Sequence, residues 1–303
     1  MALSDPNALS SLVARALTGA YLVTMMLSMG LELGAAPKEQ GAAKRSQRRL
    51  LLRGLAINLV LLPLVALVVV RALHTRGDVA LALLVLAATP GGRLAPQLTR
   101  IARGELGLSV EITLFLGKLT AFTAPLTVEW MLGARSIKVH ELTLVAQLAV
   151  LQILPYLAGK MIRRRRPSFA ARLLHVARFS ALACVVAIVA FLVVHREIRS
   201  VLLIGGNGWA ALLCVAAISL LLGWLLGGPS VRTRRAVALS VNARDLALAL
   251  VIASLAYPGG GLQSLLFAEW LVFIAFSLAF AAVSRRHGVL VGRPPMVGLG
   301  LEG

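Results

Sequence analysis

Residues 236–256 form an apolar run, AVALSVNARDLALALVIASLA, that carries Arg244 and Asp245 at its centre. About 20 apolar residues are enough for a helix to cross a bilayer. A charged side chain at the bilayer centre costs about 2.5–3.5 kcal/mol on insertion scales, so such a residue indicates a functional site. The guanidinium can bind an anion, and the carboxylate can bind a proton or a cation. The run therefore predicts a binding site inside the membrane.

Further ionisable residues lie inside apolar runs elsewhere in the chain, namely Arg93, Glu111, Lys118 and Glu269. Glu111 and Lys118 share one helix face but lie about 10 Å apart along its axis. Arg244 and Asp245 are neighbours about 100° apart on a helix, so each needs a partner from another helix. We therefore predict the pairs Arg93–Glu111 and Asp245–Lys118, which leaves Arg244 for an anionic ligand.

The composition argues against a soluble globular domain. Of the 303 residues, 59% are hydrophobic and 14% are charged, whereas soluble domains are roughly half apolar and a quarter charged. Lipid must cover the excess apolar surface. The sequence thus predicts an all-α polytopic membrane protein with membrane lipid as its partner.

Nine transmembrane spans account for the apolar runs, at about 10–33, 51–73, 79–100, 106–132, 142–162, 171–194, 200–227, 236–257 and 263–284. Most of the Lys and Arg residues fall in the loops on one side, which predicts an external N-terminus and a cytoplasmic C-terminus. The net charge of +19 then reflects topology and not a nucleic-acid partner. We expect a transmembrane domain over 1–287, a flexible cytoplasmic tail over 288–303, and a multi-pass protein of a prokaryotic inner membrane.

The third and eighth spans are both interrupted. The third contains Pro90, Gly91 and Gly92, with Pro96 a turn later, and proline and glycine disfavour helix. The eighth contains the polar Asn-Ala-Arg-Asp stretch. Irregular backbone at membrane depth is tolerated only where protein or a wet cavity surrounds it. Because the two spans run in opposite directions, they predict an inverted-repeat transporter with its site between the breaks.

Four stretches resemble the bile acid:sodium symporter family: MMLSMGLEL (25–33), ATPGG (88–92), ARGELGLSVEIT (102–113) and RRAVALSVNARDLALAL (234–250). The resemblance covers about residues 20 to 285 and is closest to a nine-span form of the family. It implies two broken helices that cross in a core domain, which moves against a panel domain. It also implies sodium-driven uptake of organic anions.

The residues that would bind sodium depart from the family pattern. The resemblance implies that Ser109 and Thr113 match hydroxyl ligands of the first sodium site. The family places Ser and Asn where this chain has Ala95 and Pro96, and Glu-x-Gly-x-Gln-Asn where it has residues 240–245. A glutamine of the second site is thereby replaced by arginine, which offers five donors and no acceptor to a cation.

We therefore predict a secondary active transporter that moves a small organic anion with altered or absent sodium coupling, where the coupling ion is a proton or sodium. No cofactor is expected, and the sequence contains no HExxH or serine-hydrolase motif that would indicate an enzyme. The predicted substrate- or ion-binding residues are Arg93, Ser109, Glu111, Thr113, Lys118, Ser240, Asn242, Arg244 and Asp245, with Ser109 and Thr113 as metal ligands if sodium is retained.

Two alternatives stay open. The first is a conventional sodium:organic anion symporter whose ion site is rearranged around Asp245, Ser109, Thr113, Ser240 and Asn242. The second is a non-transporting sensor or scaffold built on the transporter fold.

Overall fold

Helices make up the regular structure in the computed structural model, which describes residues 6–33, 43–75, 77–132, 141–194, 204–256 and 261–291. The α-helices in these ranges are α1 Pro6–Leu33, α2 Ala43–Ala56, α3 Leu62–Ala72, α4 Gly77–Ala87, α5 Ala95–Ile101, α6 Leu106–Leu132, α7 Glu141–Arg165, α8 Pro167–Val194, α9 Gly205–Leu226, α10 Val231–Asn242, α11 Leu246–Ala256 and α12 Gly261–Val291. A π-helical segment, Ile57–Leu61, joins α2 to α3.

Three helical stretches in the described ranges are long and apolar enough to cross a membrane: Gln47–Ala72, Gly205–Leu226 and Leu262–Arg286. A bent stretch, Leu106–Thr120 with Phe122–Met131, would be a fourth. Large apolar side chains such as Phe179 and Leu225 lie exposed on the outside, as expected of a surface that lipid covers. The regular structure of the described ranges is therefore all helical, as in a polytopic membrane protein, and the count of nine spans stays a prediction.

Proline explains two irregularities in these helices. The two halves of α6 meet at an angle of 68°, and Pro125 lies inside the helix. Pro125 has no N–H for the carbonyl four residues earlier and its ring crowds that carbonyl, so the helix bends near residue 121. The π segment similarly precedes Pro63, which lies in the first turn of α3. Such π segments often occur at functional sites, and this one contains Asn58.

The two interrupted spans cross at their breaks. The helix formed by α4 and α5 is open over residues 88–94, and that formed by α10 and α11 is open over residues 243–245. The open stretches pair in an antiparallel bridge between Pro90 and Arg244. Both predicted breaks are thus confirmed, although Pro96 lies in the first turn of α5 and starts that helix, since proline suits a first turn.

Backbone hydrogen bonds hold the crossing together. The Gly92 N–H donates to the Ala243 carbonyl at 3.2 Å, and the Asp245 N–H donates to the Thr89 carbonyl at 2.8 Å. Gly91 has a φ of +98°, which glycine adopts without steric cost. At Gly92 a Cβ atom would lie 2.5 Å from the Arg244 carbonyl oxygen. The two backbones approach so closely only because residue 92 has no side chain.

The helices form two groups by their contacts. The helices α1, α7 and α8 pack mainly against one another, and the crossing helices pack with α6, α9 and α12. The two groups meet where α1 contacts α11 and where α7 contacts α6. The crossing therefore lies close to the boundary between the groups.

We expect Gly92→Ala to destabilise the protein by about 1–3 kcal/mol, because overpacking against backbone atoms forces a shift of the chain. Thermal unfolding of the detergent-purified protein, followed by gel filtration of heated samples, measures the loss. Gly19→Ala is the matched control, since a Cβ atom there meets nothing within 4 Å. Equal midpoints for the two variants would contradict the close approach at Gly92.

Candidate functional site

Arg244 is 2% exposed and lies at the crossing inside a cage of three oxygen atoms. Its Nη1 donates to the Ala87 carbonyl at 3.2 Å, and its Nη2 donates to the Asn58 Oδ1 at 2.8 Å. The Nη2 also donates to the Val241 carbonyl. The described part of the chain places no carboxylate within 4 Å of this guanidinium. Neutral oxygens thus accept hydrogen bonds from both terminal nitrogens of the buried cation, while its Nε has no acceptor among the described residues.

Two of these oxygens belong to helix ends. Ala87 is the last residue of α4, and Val241 lies in the last turn of α10. In a continuous helix the Asp245 N–H would bond to the Val241 carbonyl, but it donates to Thr89 instead. Carbonyls at a helix C-terminus lack helical partners and carry partial negative charge. The two breaks therefore create a site suited to a cation, and Arg244 fills it.

Asn58 supplies the third oxygen from the π segment. Its side chain is completely buried, and its Nδ2 donates to the Gly54 carbonyl at 2.9 Å. That bond orients the amide so that Oδ1 points to Arg244. Our sequence reasoning missed Asn58, although a lone amide in the apolar run INLVLLPLV is the kind of signal that identifies intramembrane sites.

Asp245 forms an ion pair with Arg93, whose Nη2 lies 3.4 Å from the Asp245 Oδ2. The side chains are 8% and 11% exposed, respectively. The Asp245 Oδ1 also accepts the Leu248 N–H at 3.3 Å, which caps the start of α11. The Arg93 Nη2 further contacts the Met26 Sδ at 3.3 Å. The pair thus connects both breaks to α1.

The predicted pairs Arg93–Glu111 and Asp245–Lys118 are therefore wrong. Arg244, which that pairing left for an anionic ligand, donates to the three oxygens of its cage. Lys118 is exposed on α6, with its Nζ 5.5 Å from the centre of the Phe115 ring. Glu111 is half-buried on the same helix. The error arose because depth in the membrane does not determine which way a side chain points. Only the crossing brings Arg93 to Asp245.

Asn242 connects three helices at the end of α10. Its Oδ1 accepts a hydrogen bond from the Ser219 hydroxyl of α9 at 2.5 Å. Its Nδ2 donates to the Phe273 carbonyl at 2.7 Å and to the Ser277 hydroxyl at 2.6 Å, both on α12. The amide is completely buried, so its donors and its acceptor all serve to fix α10 against its neighbours.

Ser109 and Ser240 belong to a separate network of hydroxyls. The Ser109 Oγ lies 3.1 Å from the Ser240 Oγ and accepts a bond of 3.1 Å from the Thr99 hydroxyl. The Thr113 hydroxyl donates to the Ser109 carbonyl at 2.8 Å. All four side chains are buried. The predicted site residues thus fall into distinct networks. The hydroxyls of Thr99, Ser109 and Ser240 bond to one another, the Thr113 hydroxyl bonds to the Ser109 backbone, and Asp245 pairs with Arg93.

Two cavities lie near the crossing. The first has a volume of about 30 Å³ and is lined by Arg93, Arg244, Asp245 and Trp270 among others, which is room for one water molecule or one small ion. The second has a volume of about 260 Å³ between α1, α6 and α7. Its lining is Met26, Met29, Leu114, Gly117, Lys118, Phe122, Ile153, Tyr156 and Leu157. Lys118 is the charged member of this apolar lining.

The described ranges contain no group of three or more His, Cys, Asp or Glu side chains that could hold a metal ion. Oxygen ligands for a monovalent cation would come from hydroxyls, amides, carbonyls and the Asp245 carboxylate, which is paired with Arg93. Several such oxygens at the crossing, those of Ala87, Val241, Asn58 and Asn242, already accept hydrogen bonds from protein donors.

Known proteins resemble this chain over most of its length. Residues 20–201 match the Sodium Bile acid symporter family. A protein of Bacillus subtilis (strain 168), described as the uncharacterized sodium-dependent transporter YocS, is 26% identical over 258 residues. That match covers 82% of this chain and 78% of the Bacillus protein.

Asp245→Asn tests the buried ion pair. The amide keeps an oxygen for the Leu248 N–H but leaves Arg93 without its counter-charge, which costs about 3–5 kcal/mol for a buried pair. We expect a large fall in the thermal midpoint of the purified protein.

Glu105→Gln is the matched control, because Glu105 pairs with Arg232 at 3.5 Å while their side chains are 43% and 69% exposed. Exposed pairs contribute at most about 1 kcal/mol. Similar midpoints for both variants would show that the Arg93–Asp245 pair does not stabilise the crossing.

Proposed function

The chain belongs to the sodium bile acid symporter family, and from that premise we propose that it carries a small organic anion across a membrane with altered or no sodium coupling. The family match and the likeness to a sodium-dependent transporter support transport. The observation that carries the altered coupling is the guanidinium of Arg244 inside the oxygen cage at the crossing.

The transport mechanism follows from the arrangement of the helices. We assign the crossing helices with α6, α9 and α12 to a core domain, and α1, α7 and α8 to a panel domain. The antiparallel contact of the two breaks supports inverted repeats, which place a substrate site at their interface. Nine spans, an external N-terminus, a cytoplasmic C-terminus and a prokaryotic inner membrane complete the proposal.

The cavity of about 260 Å³ is our candidate for the substrate site. It lies at the boundary of the two helix groups, and its lining is apolar apart from Lys118. Ligand pockets are mostly apolar, with a few polar groups that orient the ligand. An organic anion with an apolar body and one acidic group fits this lining, since the body packs on Met26 and Met29 while the acid meets the Lys118 ammonium.

Arg244 replaces a mobile cation by a tethered one. Half-helix C-termini and unwound carbonyls bind the coupling ion in inverted-repeat transporters, and here those groups accept hydrogen bonds from a guanidinium. The guanidinium is covalently attached to the protein, and arginine keeps its charge at every physiological pH. This cation therefore cannot be released on one side of the membrane and replaced on the other during a transport cycle. A sodium ion at this position would meet a positive charge, and the three described oxygens of the cage already accept hydrogen bonds from Arg244.

The hydroxyl network supports the same conclusion for the first sodium site of the family. The Ser109 hydroxyl bonds to the Ser240 hydroxyl and accepts from Thr99, and the family's glutamate is a serine at residue 240. A sodium ion there would have to break these bonds without gaining a carboxylate. Thr99, Ser109 and Ser240 therefore serve to hold α5, α6 and α10 together.

We expect the wild-type protein to show no stabilisation by sodium over potassium at equal ionic strength. Arg244→Gln restores the residue type of the family, and it frees the oxygens of Ala87, Val241 and Asn58 for a cation. In that variant, sodium should raise the thermal midpoint, because a ligand that binds only the folded state stabilises it.

Arg235→Gln is the control for this test. Arg235 is also a buried arginine, and its Nη2 donates to the Ser284 carbonyl at 2.8 Å, away from the crossing. That variant should gain no sodium response. Sodium-specific stabilisation and strictly sodium-dependent uptake in the wild type would instead favour the conventional sodium symporter with a rearranged site.

Lys118→Gln tests the substrate site. The side chain is exposed, so the fold should persist, while loss of a charged contact to an anion raises KM by on the order of tenfold or more. Uptake of radiolabelled cholate and of short monocarboxylates into proteoliposomes measures the change. Lys160→Gln is the control, because Lys160 lies on α7 outside the cavity lining.

An unchanged KM in Lys118→Gln would place the substrate elsewhere. Binding of these anions without any uptake by the wild type would favour the sensor or scaffold over the transporter.

A further inference from the structure

Glu269 carries a carboxyl group that is buried in the protein interior and has no hydrogen-bond partner among the described residues. It lies on α12 and is 0% exposed. Neither of its carboxyl oxygens has a hydrogen-bond partner in the described part of the chain. The buried residues at helical spacing around it are Leu262, Leu265, Leu266 and Phe273. No role discussed above uses this acid.

An ionised carboxylate is not tolerated in such surroundings. Transfer of an isolated charge into an apolar interior costs far more than the stability of a protein, unless a counter-charge or hydrogen bonds compensate. The neutral acid avoids that cost. The protonated form of Glu269 therefore suits this conformation, and release of the proton requires a path for water to the carboxyl group.

The charged and titratable residues on the elements packed against α12 make no hydrogen bond or ion pair with Glu269 in the described ranges. Those elements are α4, α5, α9, α10, α11 and the crossing, and their residues of this kind are Asp78, Arg93, Arg100, Cys214, Arg232, Arg234, Arg235, Arg244 and Asp245. Within the described ranges none of them forms a hydrogen bond or an ion pair with Glu269. None of these described groups would therefore neutralise the negative charge of an ionised Glu269.

The helix that carries Glu269 is bonded directly to the crossing. The Trp270 Nε1 donates to the Arg244 carbonyl at 3.2 Å, and Asn242 donates to Phe273 and Ser277. Trp270, Phe273 and Ser277 also line the water-sized cavity at the crossing. A movement that opens this cavity thus displaces the residue next to Glu269 and brings water towards its carboxyl group.

We propose that Glu269 is the proton-binding site that couples transport to a proton gradient. The acid takes a proton from water on the side where the organic anion enters, and it returns that proton to water on the side where the anion leaves. The proposal rests on the proposed function, because a tethered Arg244 leaves the protein without a mobile cation. Protonation then supplies the charge that changes during the cycle.

Infrared spectroscopy tests proton binding without any substrate. The wild-type protein in lipid at neutral pH should show the carbonyl stretch of a buried protonated acid, and Glu269→Gln should lack that band. Glu105→Gln, which removes an exposed acid, should keep it. Absence of a Glu269-dependent band in the wild type would overturn the proposal, whether or not the protein transports organic anions.

Transport in proteoliposomes tests the coupling. An inward proton gradient should drive accumulation of radiolabelled cholate by the wild type and by Glu105→Gln. Glu269→Gln should lose at least nine-tenths of that accumulation but keep the exchange of labelled for unlabelled cholate, because a permanently neutral side chain still permits the loaded carrier to move.

Gradient-driven accumulation by Glu269→Gln at the wild-type level would also overturn the proposal. If Glu269→Gln does not fold, Glu269→Asp, which keeps a carboxyl group, replaces it. That variant should retain a protonated-acid band at a shifted frequency together with proton-driven accumulation. Loss of the band with unchanged accumulation would contradict the role of residue 269. If the wild type carries no cholate, the infrared result alone decides whether Glu269 binds a proton.

Discussion

Backbone groups at a broken membrane helix must find partners inside the protein, because lipid offers none. The two breaks of this protein meet that constraint together. The carbonyls of Thr89 and Ala243 accept hydrogen bonds from N–H groups that have no helical partner. The Arg244 guanidinium donates to the carbonyls at the C-terminal ends of α4 and α10. The close contact needs Gly92, since any side chain there would collide with the opposite backbone.

A permanent cation at the crossing changes what the fold can do. In a sodium-driven transporter the ion in such a cage binds and dissociates in each transport cycle, so its binding free energy is available to drive transport. A guanidinium on the protein's own chain satisfies the same oxygens at all times. The guanidinium therefore stabilises the crossing, but a different group has to couple transport to an ion gradient. Glu269 is the buried acid that the crossing can reach through α12.

Much of the fold could be predicted from the sequence. The apolar runs, the Pro90–Gly92 break and the Asn-Ala-Arg-Asp break all follow from local composition, because proline and glycine disfavour helix wherever they occur and polar residues interrupt an apolar span. The lone amide of Asn58 carried a similar signal and could have been read as part of the site. The family likeness rests on the same stretches of sequence, and the match over residues 20–201 confirms it.

The partners of the charged residues were beyond such reasoning. Sequence position and membrane depth placed Asp245 near Lys118 and left Arg244 unpaired, but side-chain direction depends on how the backbone turns at the breaks. The sequence by itself determined that two helices break, that charges lie at one break, and that apolar surface requires lipid. Only the tertiary structure decided that Arg93 meets Asp245, that Arg244 binds helix-end carbonyls, and that Glu269 is buried without a partner among the described residues. Those contacts join residues up to 186 positions apart in the chain, and their geometry exists only once the two broken helices have crossed.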